Sequence, residues 1–189
     1  GGPDLAEFIS ASFDDHIKLM LPAPGQTELV LPTPGPNGPT LPEGAPRPVM
    51  RDYTPRRYDA AAGELDIEFA LHGDGPAAAW AAQATPGQVV GIGGPRGSFV
   101  VPTGFDWHVL IGDETALPAI ARRLEELPAS AQALVVLAVA EADRRALPSA
   151  AQVTLQWTAP SEAALLDAVA ALQLPAGNGY AWAAGEAKA

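Results

Sequence analysis

Residues 107–140, WHVLIGDETALPAIARRLEELPASAQALVVLAVA, decide the fold class of the second half of this chain. The apolar run 107–111 ends at Gly112, as a buried strand ends at a turn. Thr115 is placed to cap a helix over 116–127. A strand that leads directly into a helix predicts the first unit of an α/β sheet.

Further strand and helix signals follow at regular intervals. The run 133–140 is apolar without alternation, which is typical of a strand buried on both faces. Two more strands are predicted at 153–157 and 180–184, with a helix between them that Ser161 caps and that ends near residue 172. Repeated units of this kind predict a parallel sheet, whose ligands bind beyond the carboxyl ends of the strands.

The chain before residue 104 has a different pattern, in which short alternating segments are separated by proline and glycine. Ile17, Leu19 and Leu21 alternate with polar residues, and the segment 65–71 repeats the alternation. These features predict an antiparallel β-barrel domain over 1–103, followed by the parallel α/β domain over 104–189.

The segment 22–48 is rich in proline. Only a short strand at 28–31 is predicted within it, and the rest is expected to be an exposed loop. A disordered insertion without function is an equally open interpretation.

Composition excludes several classes of function. The 189 residues include 11 basic and 22 acidic ones, so the net charge of −11 argues against a nucleic-acid surface. The chain has no cysteine, which excludes disulfides and iron–sulfur clusters, and we expect no metal site. Any redox chemistry must use a bound cofactor. No apolar run approaches the length of about 20 residues that spans a bilayer, so we expect a soluble, cytoplasmic and monomeric protein.

The first motif with chemical content begins at Arg51, at the end of a predicted strand. Alternation places Arg51 and Tyr53 on one face, where a guanidinium fork suits a phosphate and a phenol ring stacks on a flat heterocycle. The hydroxyl of Thr54 can hydrogen-bond a ring nitrogen. An ordinary surface strand with an exposed Arg and Tyr is the alternative interpretation.

Two glycine turns carry the other motifs. His72-Gly73-Asp74-Gly75-Pro76-Ala77 follows a predicted strand and precedes small helix-forming residues, so free backbone N–H groups at a helix start are expected to receive a pyrophosphate. Gly112-Asp113-Glu114-Thr115 lies where a parallel sheet binds nucleotide phosphates, with Gly112 allowing close approach and Thr115 offering a hydroxyl. Simple caps of a strand and a helix are the alternatives.

Taken together, the order and spacing of five motifs resemble the siderophore-interacting protein family, a branch of the ferredoxin–NADP reductase superfamily. The resemblance runs from about Gly2 to the end of the chain. Its motifs are Arg51-x-Tyr53-Thr54, His72-Gly73-x-Gly75-Pro76-Ala77 with Trp80, Gly94-Pro95-Arg96-Gly97, Gly112-Asp113-Glu114-Thr115-Ala116-Leu117-Pro118-Ala119 and Trp182-x-x-Gly185-Glu186.

The resemblance implies a role for each matching residue. Arg51 would hold an FAD phosphate, while Tyr53 and Thr54 would lie at the reacting flavin ring as the catalytic residues. The remaining implied contacts are flavin-lining backbone at Phe69, Ala70, Leu71 and His72, a pyrophosphate site at Gly75, Pro76, Ala77 and Ala78, a nicotinamide docking site at Gly112, Asp113, Glu114 and Thr115, and a closing side at Trp182, Gly185 and Glu186. Many relatives have a hydroxyl residue in place of Ala78.

The implied reaction passes electrons from NAD(P)H through FAD to the iron of a ferric siderophore, from which Fe(II) is then released. Lys18, Arg56 and Arg57 are candidates for binding an anionic chelate, although scattered solvated charges are the alternative interpretation. Arg144 and Arg145 favour NADPH through a 2′-phosphate, whereas Glu141 would favour NADH. Another flavin reductase of the superfamily and a non-catalytic siderophore- or flavin-binding module remain alternative functions.

Overall fold

A computed structural model describes residues 1–36, 38–71 and 75–186 of the chain. The chain forms two units, Gly1–Phe99 and Val100–Ala189. The strands of the first unit pair antiparallel and those of the second pair parallel. The predicted change from antiparallel to parallel pairing is therefore confirmed.

The first unit contains five strands and one helix within its described residues. Their bounds are β1 Ile17–Leu21, β2 Val49–Tyr53, β3 Arg57–Asp59, β4 Glu64–Asp66, α1 Pro76–Ala82 and β5 Gly91–Gly93. β2, β1 and β5 form one antiparallel sheet in that order, and β3 and β4 form a separate hairpin. The register of the sheet places Val49 opposite Leu21 and Tyr53 opposite Ile17.

β1 shows how the alternating pattern positions the core. Ile17, Leu19 and Leu21 are at most 2% exposed, while Lys18 between them is exposed. Leu19 and Leu21 pack with Ala77 of α1 in one apolar cluster. Each buried side chain of this size contributes about 1.5–3 kcal/mol to stability, so the alternation alone is sufficient to orient the strand. This strand prediction is confirmed.

Another strand prediction is correct only at its start. Alternation predicted a strand over 65–71, but β4 ends at Asp66. Beyond that point the Glu68 carboxylate lies 3.1 Å from Nε of Arg56, and the ring of Phe69 joins an aromatic group. Side-chain contacts are thus recorded for this segment where the predicted strand is not.

In the described part of segment 22–48, the predicted strand at 28–31 is absent. The described residues of this segment pair instead through an isolated antiparallel bridge between Thr33 and Thr40. Proline cannot donate a backbone hydrogen bond, so a segment this rich in proline cannot sustain a ladder. The expectation of a mainly exposed loop is confirmed for the described residues.

The second unit is built around a four-stranded parallel sheet. Its elements are β6 Trp107–Asp113, α2 Leu117–Glu126, β7 Gln132–Ala138, β8 Gln152–Thr158, α3 Glu162–Ala170 and β9 Gly179–Ala184. The strand order is β8-β7-β6-β9, which confirms the predicted parallel sheet. Because β7 and β9 lie on opposite sides of β6, the carboxyl ends of β6 and β9 flank the crevice where such sheets bind ligands.

The core of this unit lies between the sheet and α2. Leu110, Ile120, Leu124, Val135 and Leu137 are all at most 1% exposed and belong to one cluster. The continuous apolar run of β7 is buried along its length after Gln132, as expected for a strand covered on both faces.

Helix starts in this unit follow two different patterns. Ser161 caps α3 as predicted, because its Oγ accepts a hydrogen bond from the Ala164 N–H at 3.3 Å. Thr115 does not cap α2, although the sequence predicted that it would. Its hydroxyl donates instead to Oδ1 of Asp113 at 2.6 Å, and α2 begins at Leu117.

Neither a membrane-spanning helix nor a metal cluster is found within the described ranges. No helix in 1–36, 38–71 or 75–186 is long and apolar enough to cross a lipid bilayer. Nor do these residues bring three or more His, Cys, Asp or Glu side chains together as a metal site.

Candidate functional site

β2 presents Arg51 and Tyr53 on the same face, because residues two positions apart in a strand project to the same side. The Arg51 guanidinium is exposed and donates from Nη1 to the carbonyl of Met50 at 2.8 Å. Among the described residues, no carboxylate pairs with it. An exposed guanidinium of this kind is available to bind an anion such as a phosphate.

An aromatic group forms beside this strand from three separate sequence motifs. The ring centroids of Tyr53 and Phe69 lie 4.5 Å apart with an interplanar angle of 44°. Phe69 in turn lies 6.0 Å from Trp80 of α1. Burial raises the pKa of Tyr53 and the Arg51 charge partly opposes this, so the phenol is neutral at neutral pH.

The start of α1 is open. A Cβ built on Gly75 would meet nothing within 4 Å, and the backbone there has φ −64°, which any residue adopts. The fold of the described residues therefore does not require glycine at this position. Ala79 N is bonded to the carbonyl of Gly75 at 2.9 Å, whereas the amides of Ala77 and Ala78 lie in the first turn, where a helix supplies no acceptor.

The other predicted flavin residues are placed as follows. Thr54 comes directly after β2 and is half-buried, as is Ala70, while the side chain of Leu71 is 64% exposed. His72, predicted to line the flavin, lies outside the described residues, together with Gly73 and Asp74.

The three candidate chelate-binding cations are all paired with carboxylates. Nζ of Lys18 lies 2.6 Å from Asp52, and Nε of Arg56 lies 3.1 Å from Glu68. Arg57 contacts Asp66 at 2.8 Å and Asp59 at 3.3 Å. These residues therefore form ion pairs rather than a patch of uncompensated positive charge. The exposed pairs of Lys18 and Arg57 are worth about 0–1 kcal/mol each, so an anionic ligand can displace their carboxylates at little cost, whereas the Arg56–Glu68 pair is partly buried.

In the second unit, the carboxylate of Asp113 joins the ends of β6 and β9. Its Oδ1 accepts hydrogen bonds from the amides of Thr115 at 2.8 Å and Ala116 at 3.3 Å, besides the Thr115 hydroxyl. Its Oδ2 accepts from the amide of Glu186 at 2.6 Å. Bonds of a carboxylate to backbone amides are about twice as strong as neutral ones, so Asp113 holds both edges of the crevice.

This geometry changes the expected role of the loop 112–115. A phosphate at a helix start accepts hydrogen bonds from the first backbone amides, but the Asp113 carboxylate already bonds to those of Thr115 and Ala116. Glu114 follows Asp113 in the chain, and Glu186 donates its amide to Asp113, so two further acidic residues belong to this edge. The arrangement does not support a phosphate at the start of α2, although it leaves room for the prediction that a nicotinamide ring docks at this crevice.

Packing accounts for both crevice glycines. A Cβ on Gly112 would lie 2.4 Å from Cβ of Ala116 and 2.9 Å from the carbonyl oxygen of Ala184. A Cβ on Gly185 would lie 2.9 Å from Oδ2 of Asp113. Gly112 thus allows protein elements, rather than a nucleotide, to approach closely.

Two further predicted cofactor residues have structural contacts. Trp182 is half-buried and packs against the core of the second unit. Arg144 donates from Nε to the carbonyl of Val139 at 3.1 Å and from Nη2 to that of Thr158 at 2.9 Å. Arg144 therefore connects the residue after β7 to the last residue of β8.

A buried histidine lies away from these residues, in β6. His108 is 0% exposed, and its ring lies 5.9 Å from Phe105 and 6.1 Å from Tyr180. Burial lowers the pKa of His108, the Arg123 guanidinium lowers it further, and a backbone contact with Thr103 opposes the shift. His108 is therefore neutral in the folded protein at neutral pH.

This pKa shift predicts acid-sensitive stability. Below the ordinary value of 6.5 the unfolded chain binds a proton that the folded protein does not, so stability is full above pH 6.5 and falls as the pH decreases. As the pH decreases below 6.5, we expect the free energy of unfolding of wild type to fall more steeply than that of His108→Gln, by at most about 1.4 kcal/mol per pH unit. Urea unfolding across this range measures it, and parallel curves for the two proteins would contradict it.

A pocket in the first unit was not indicated by any sequence pattern. It has a volume of about 940 Å³ and lies between the proline-rich loop at 22–29 and the side of α1, with Leu21 and Val49 from paired strands also lining it. Residues 87–89 complete the wall. The contacts that form it join segments distant in sequence, so local spacing offered no signal.

Each half of the chain matches a known protein-family model. Residues 1–99 match the family model of the siderophore-interacting FAD-binding domain, and residues 105–189 match that of the siderophore-interacting protein. The NADPH-dependent ferric-chelate reductase of Escherichia coli strain K12 is 40% identical over 192 residues, which cover 100% of this chain and 74% of that protein. The ferric vibriobactin reductase of Vibrio cholerae is 36% identical over 182 residues, with 94% and 66% covered.

Solved structures show the same relationship. A siderophore utilization protein from T. fusca superimposes with a TM-score of 0.87 at 42% identity and covers 99% of this chain. A siderophore-interacting protein from Aeromonas hydrophila superimposes with a TM-score of 0.80 at 38% identity and covers 98%. This chain corresponds to 74% and 71% of those two chains, respectively.

Proposed function

This chain belongs to the siderophore-interacting protein family, and from that premise we propose that it is an FAD-dependent oxidoreductase passing electrons from NADPH to a ferric siderophore. The names of the Escherichia coli and Vibrio cholerae relatives, which specify reduction of ferric chelates, support the proposal. One observation carries the proposal. On β2, the exposed Arg51 and the half-buried ring of Tyr53 lie on the same face, and Arg51 has no carboxylate partner among the described residues.

The first unit fits an FAD molecule. Bound FAD supplies the ability to accept two electrons from a nicotinamide and to release them singly to iron. Arg51 would bind its diphosphate through a bidentate fork, and Tyr53 would stack on its ring system. The open space beside Gly75 is a cradle that a side chain would fill, and the first-turn amides of Ala77 and Ala78 would add donors.

The crevice of the second unit would receive the nicotinamide end of NADPH. Asp113 holds the amide of Glu186 and the turn at Thr115 in place, which shapes both edges of the crevice. Carboxylates there favour a ring that becomes cationic when it gives up a hydride. The phosphates of NADPH would bind elsewhere.

The ferric siderophore is the electron acceptor. Each NADPH supplies the two electrons that reduce two Fe(III) ions, and hard oxygen donors hold Fe(II) less tightly, so the metal leaves the chelate. No protein ligand to iron is needed. Lys18, Arg56 and Arg57 would attract an anionic chelate, provided that it displaces their carboxylate partners.

The proposal also includes finer structural assignments. The antiparallel sheets would belong to a β-barrel of the ferredoxin-reductase type, in an FAD-binding domain over 1–103, and residues 104–189 would form the NAD(P)-binding domain. We place the enzyme in the cytoplasm as a monomer. Size-exclusion chromatography with light scattering measures the molar mass in solution and so tests whether the protein is a monomer.

Anaerobic titration tests the function. After addition of FAD, the purified protein is expected to show flavin absorption at about 450 nm. This absorption should bleach with NADPH and recover when a ferric siderophore is added. Bleaching without recovery would indicate another flavin reductase, for which protein and quinone acceptors are then assayed. The absence of flavin bands after FAD addition would indicate a non-catalytic module.

The exposed Arg145 is the better test of the preference for NADPH, because removing Arg144 would also break its two bonds to backbone carbonyls. Arg145→Ala is expected to raise KM for NADPH about tenfold and to leave KM for NADH unchanged, since only NADPH carries the 2′-phosphate. Steady-state kinetics with both donors measures the change. Equal changes for the two donors would contradict the assignment.

A further inference from the structure

We propose that Phe99 and Val100 form the joint between the two units, and that a buried charge in each unit holds the chain beside this joint and keeps it short. The first unit ends at Phe99 and the second begins at Val100. The matched family models agree with this division, since one ends at residue 99 and the other begins at residue 105. The inference rests on the proposed function, because it concerns electron transfer from NADPH on the second unit to FAD on the first.

The two residues of the joint are exposed and lie outside the regular elements. The side chain of Phe99 is 73% exposed and that of Val100 is 63% exposed, although both are apolar. Neither residue makes a hydrogen bond to another residue in the described ranges. A short segment with this exposure and without backbone hydrogen bonds moves more readily than the chain on either side of it.

A buried carboxylate holds the chain on the first-unit side of the joint. Asp15 is 3% exposed, and its Oδ2 accepts a hydrogen bond from the hydroxyl of Ser98 at 2.8 Å. The Ser98 hydroxyl in turn accepts one from the amide of Ala11 at 3.3 Å. The same Asp15 oxygen accepts from the hydroxyl of Ser10 at 2.8 Å and from the amide of Ser12 at 3.0 Å, so the carboxylate is itself fixed. Ser98, directly before the joint, is therefore attached to a fixed part of the first unit.

A buried guanidinium holds the chain on the second-unit side. Arg123 of α2 is 2% exposed, and it donates from Nη1 to the carbonyl of Val101 at 3.3 Å and from Nη2 to that of Pro102 at 3.0 Å. The side chain of Val101 is itself buried, at 5% exposure. Glu126, also on α2, lies 3.8 Å from Nη1 of Arg123 and partly balances its charge. The first two residues after the joint are therefore attached to the core of the second unit.

The burial of these two charges supports an anchoring role. Asp15 and Arg123 are the charged side chains that are buried within the described part of the chain. Burying a charge is costly unless hydrogen bonds compensate for the lost water. A core-facing position in a helix, such as that of Arg123, takes an apolar residue when packing alone decides. Both exceptions to this rule bond to the chain immediately beside the joint, one on each side.

Loss of the first anchor would lengthen the free span between the units. Without the bond of Ser98 to Asp15, the nearest residue on that side with a backbone partner is Gly93, the last residue of β5. The span that is free to move would then grow from 99–100 to 94–100, which makes it about 3.5 times longer.

Loss of the second anchor would have an effect of the same size. Without Arg123, the nearest backbone bond on that side is at Asp106, whose amide donates to the carbonyl of Asn178 at 2.9 Å. The free span would then reach from 99 to 105. The effective concentration of two tethered partners falls roughly as the −3/2 power of tether length, so either loss should slow electron transfer about three- to sevenfold.

Stopped-flow bleaching of the FAD-loaded protein by saturating NADPH tests the inference. Ser98→Ala, a change at an exposed position, is expected to lower the bleaching rate constant about three- to sevenfold. KM for NADPH and the affinity for FAD should stay unchanged, because Ser98 lies outside both proposed cofactor sites. The matched control is Ser10→Ala, which removes an equal bond to Oδ2 of Asp15 away from the joint and should leave the rate constant within about twofold of wild type.

Two further variants test the second anchor and the joint itself. Arg123→Met, which keeps a long side chain in the core, should slow bleaching as much as Ser98→Ala does. Its control is Arg122→Met, at the neighbouring arginine whose Nε bonds to Glu126 at 2.9 Å, and it should leave the rate constant unchanged. An insertion of about five glycine and serine residues between positions 99 and 100 should reproduce the loss with both anchors intact.

A wild-type rate constant in the insertion variant would overturn the inference and leave the proposed function intact. Equal losses in Ser98→Ala and Ser10→Ala would also overturn it, as would a raised KM for NADPH with an unchanged rate constant. If NADPH does not bleach the wild-type protein, the proposed function fails, and chymotrypsin cleavage after Phe99 still tests the joint. Both anchor variants should then be cut about three- to tenfold faster than their controls, and equal cleavage would overturn the inference.

Discussion

Asp113→Asn is expected to lower kcat/KM for NADPH between about tenfold and a hundredfold while the affinity for FAD is unchanged. Asparagine keeps one oxygen to accept from the amides of Thr115 and Ala116, but its NH₂ group cannot accept the hydrogen bond that Oδ2 receives from Glu186 at 2.6 Å. Losing a charge-assisted bond and leaving that amide unsatisfied costs about 1.5–3 kcal/mol, which corresponds to the expected range. The segment that follows β9 would then lose its side-chain bond to the end of β6, while the pairing of the two strands remains.

A matched control lies at the other end of β6. There Oδ2 of Asp106 accepts from the amide of Asn178 at 2.8 Å, so Asp106→Ala removes a bond of the same kind far along the strand from the crevice. Both variants should lose similar stability in urea unfolding, and only Asp113→Asn should affect NADPH kinetics. Equal kinetic losses in both would show that Asp113 acts through stability alone.

Arg51→Ala is expected to weaken FAD binding about 30- to 150-fold. Its guanidinium is exposed and has no carboxylate partner in the described part of the chain, so binding a diphosphate breaks no ion pair. Two charge-assisted hydrogen bonds to phosphate, less the cost of ordering the side chain, account for about 2–3 kcal/mol. Flavin titration by fluorescence or calorimetry measures the change.

Arg47→Ala serves as the control for charge, because Arg47 is also exposed and lies before β2. It should leave FAD affinity within about twofold of wild type. Arg51→Lys retains a positive charge without the planar fork and should recover only part of the affinity. If Arg51→Ala and Arg47→Ala weaken FAD binding equally, the effect is one of net charge and not of a phosphate site.

The regular elements that local spacing predicted are those whose pattern coincides with burial. β1 alternates because its Ile17, Leu19 and Leu21 side chains enter the core, and β7 is uniformly apolar because both of its faces are covered. The prediction failed after Asp66, where the chain leaves the β3–β4 hairpin, and at 28–31, a run of four residues with prolines before and after it.

The same distinction between local pattern and tertiary contact applies to the candidate site. The sequence placed Arg51 and Tyr53 on one face of a strand, since alternation follows from backbone geometry alone. It did not reveal that Tyr53 meets Phe69, or that Lys18, Arg56 and Arg57 are each paired with acids. These contacts depend on which segments become neighbours after folding.

By itself, then, the amino-acid sequence determined the two sheet types, the order of the elements and the motifs that place the chain in its family. The tertiary structure alone decided that Asp113 bonds to an amide 73 residues away, that Gly112 makes room for α2, and that a pocket opens beside α1. Periodicity is a local consequence of chain geometry, whereas hydrogen bonds and cavities between distant segments depend on how the whole chain packs.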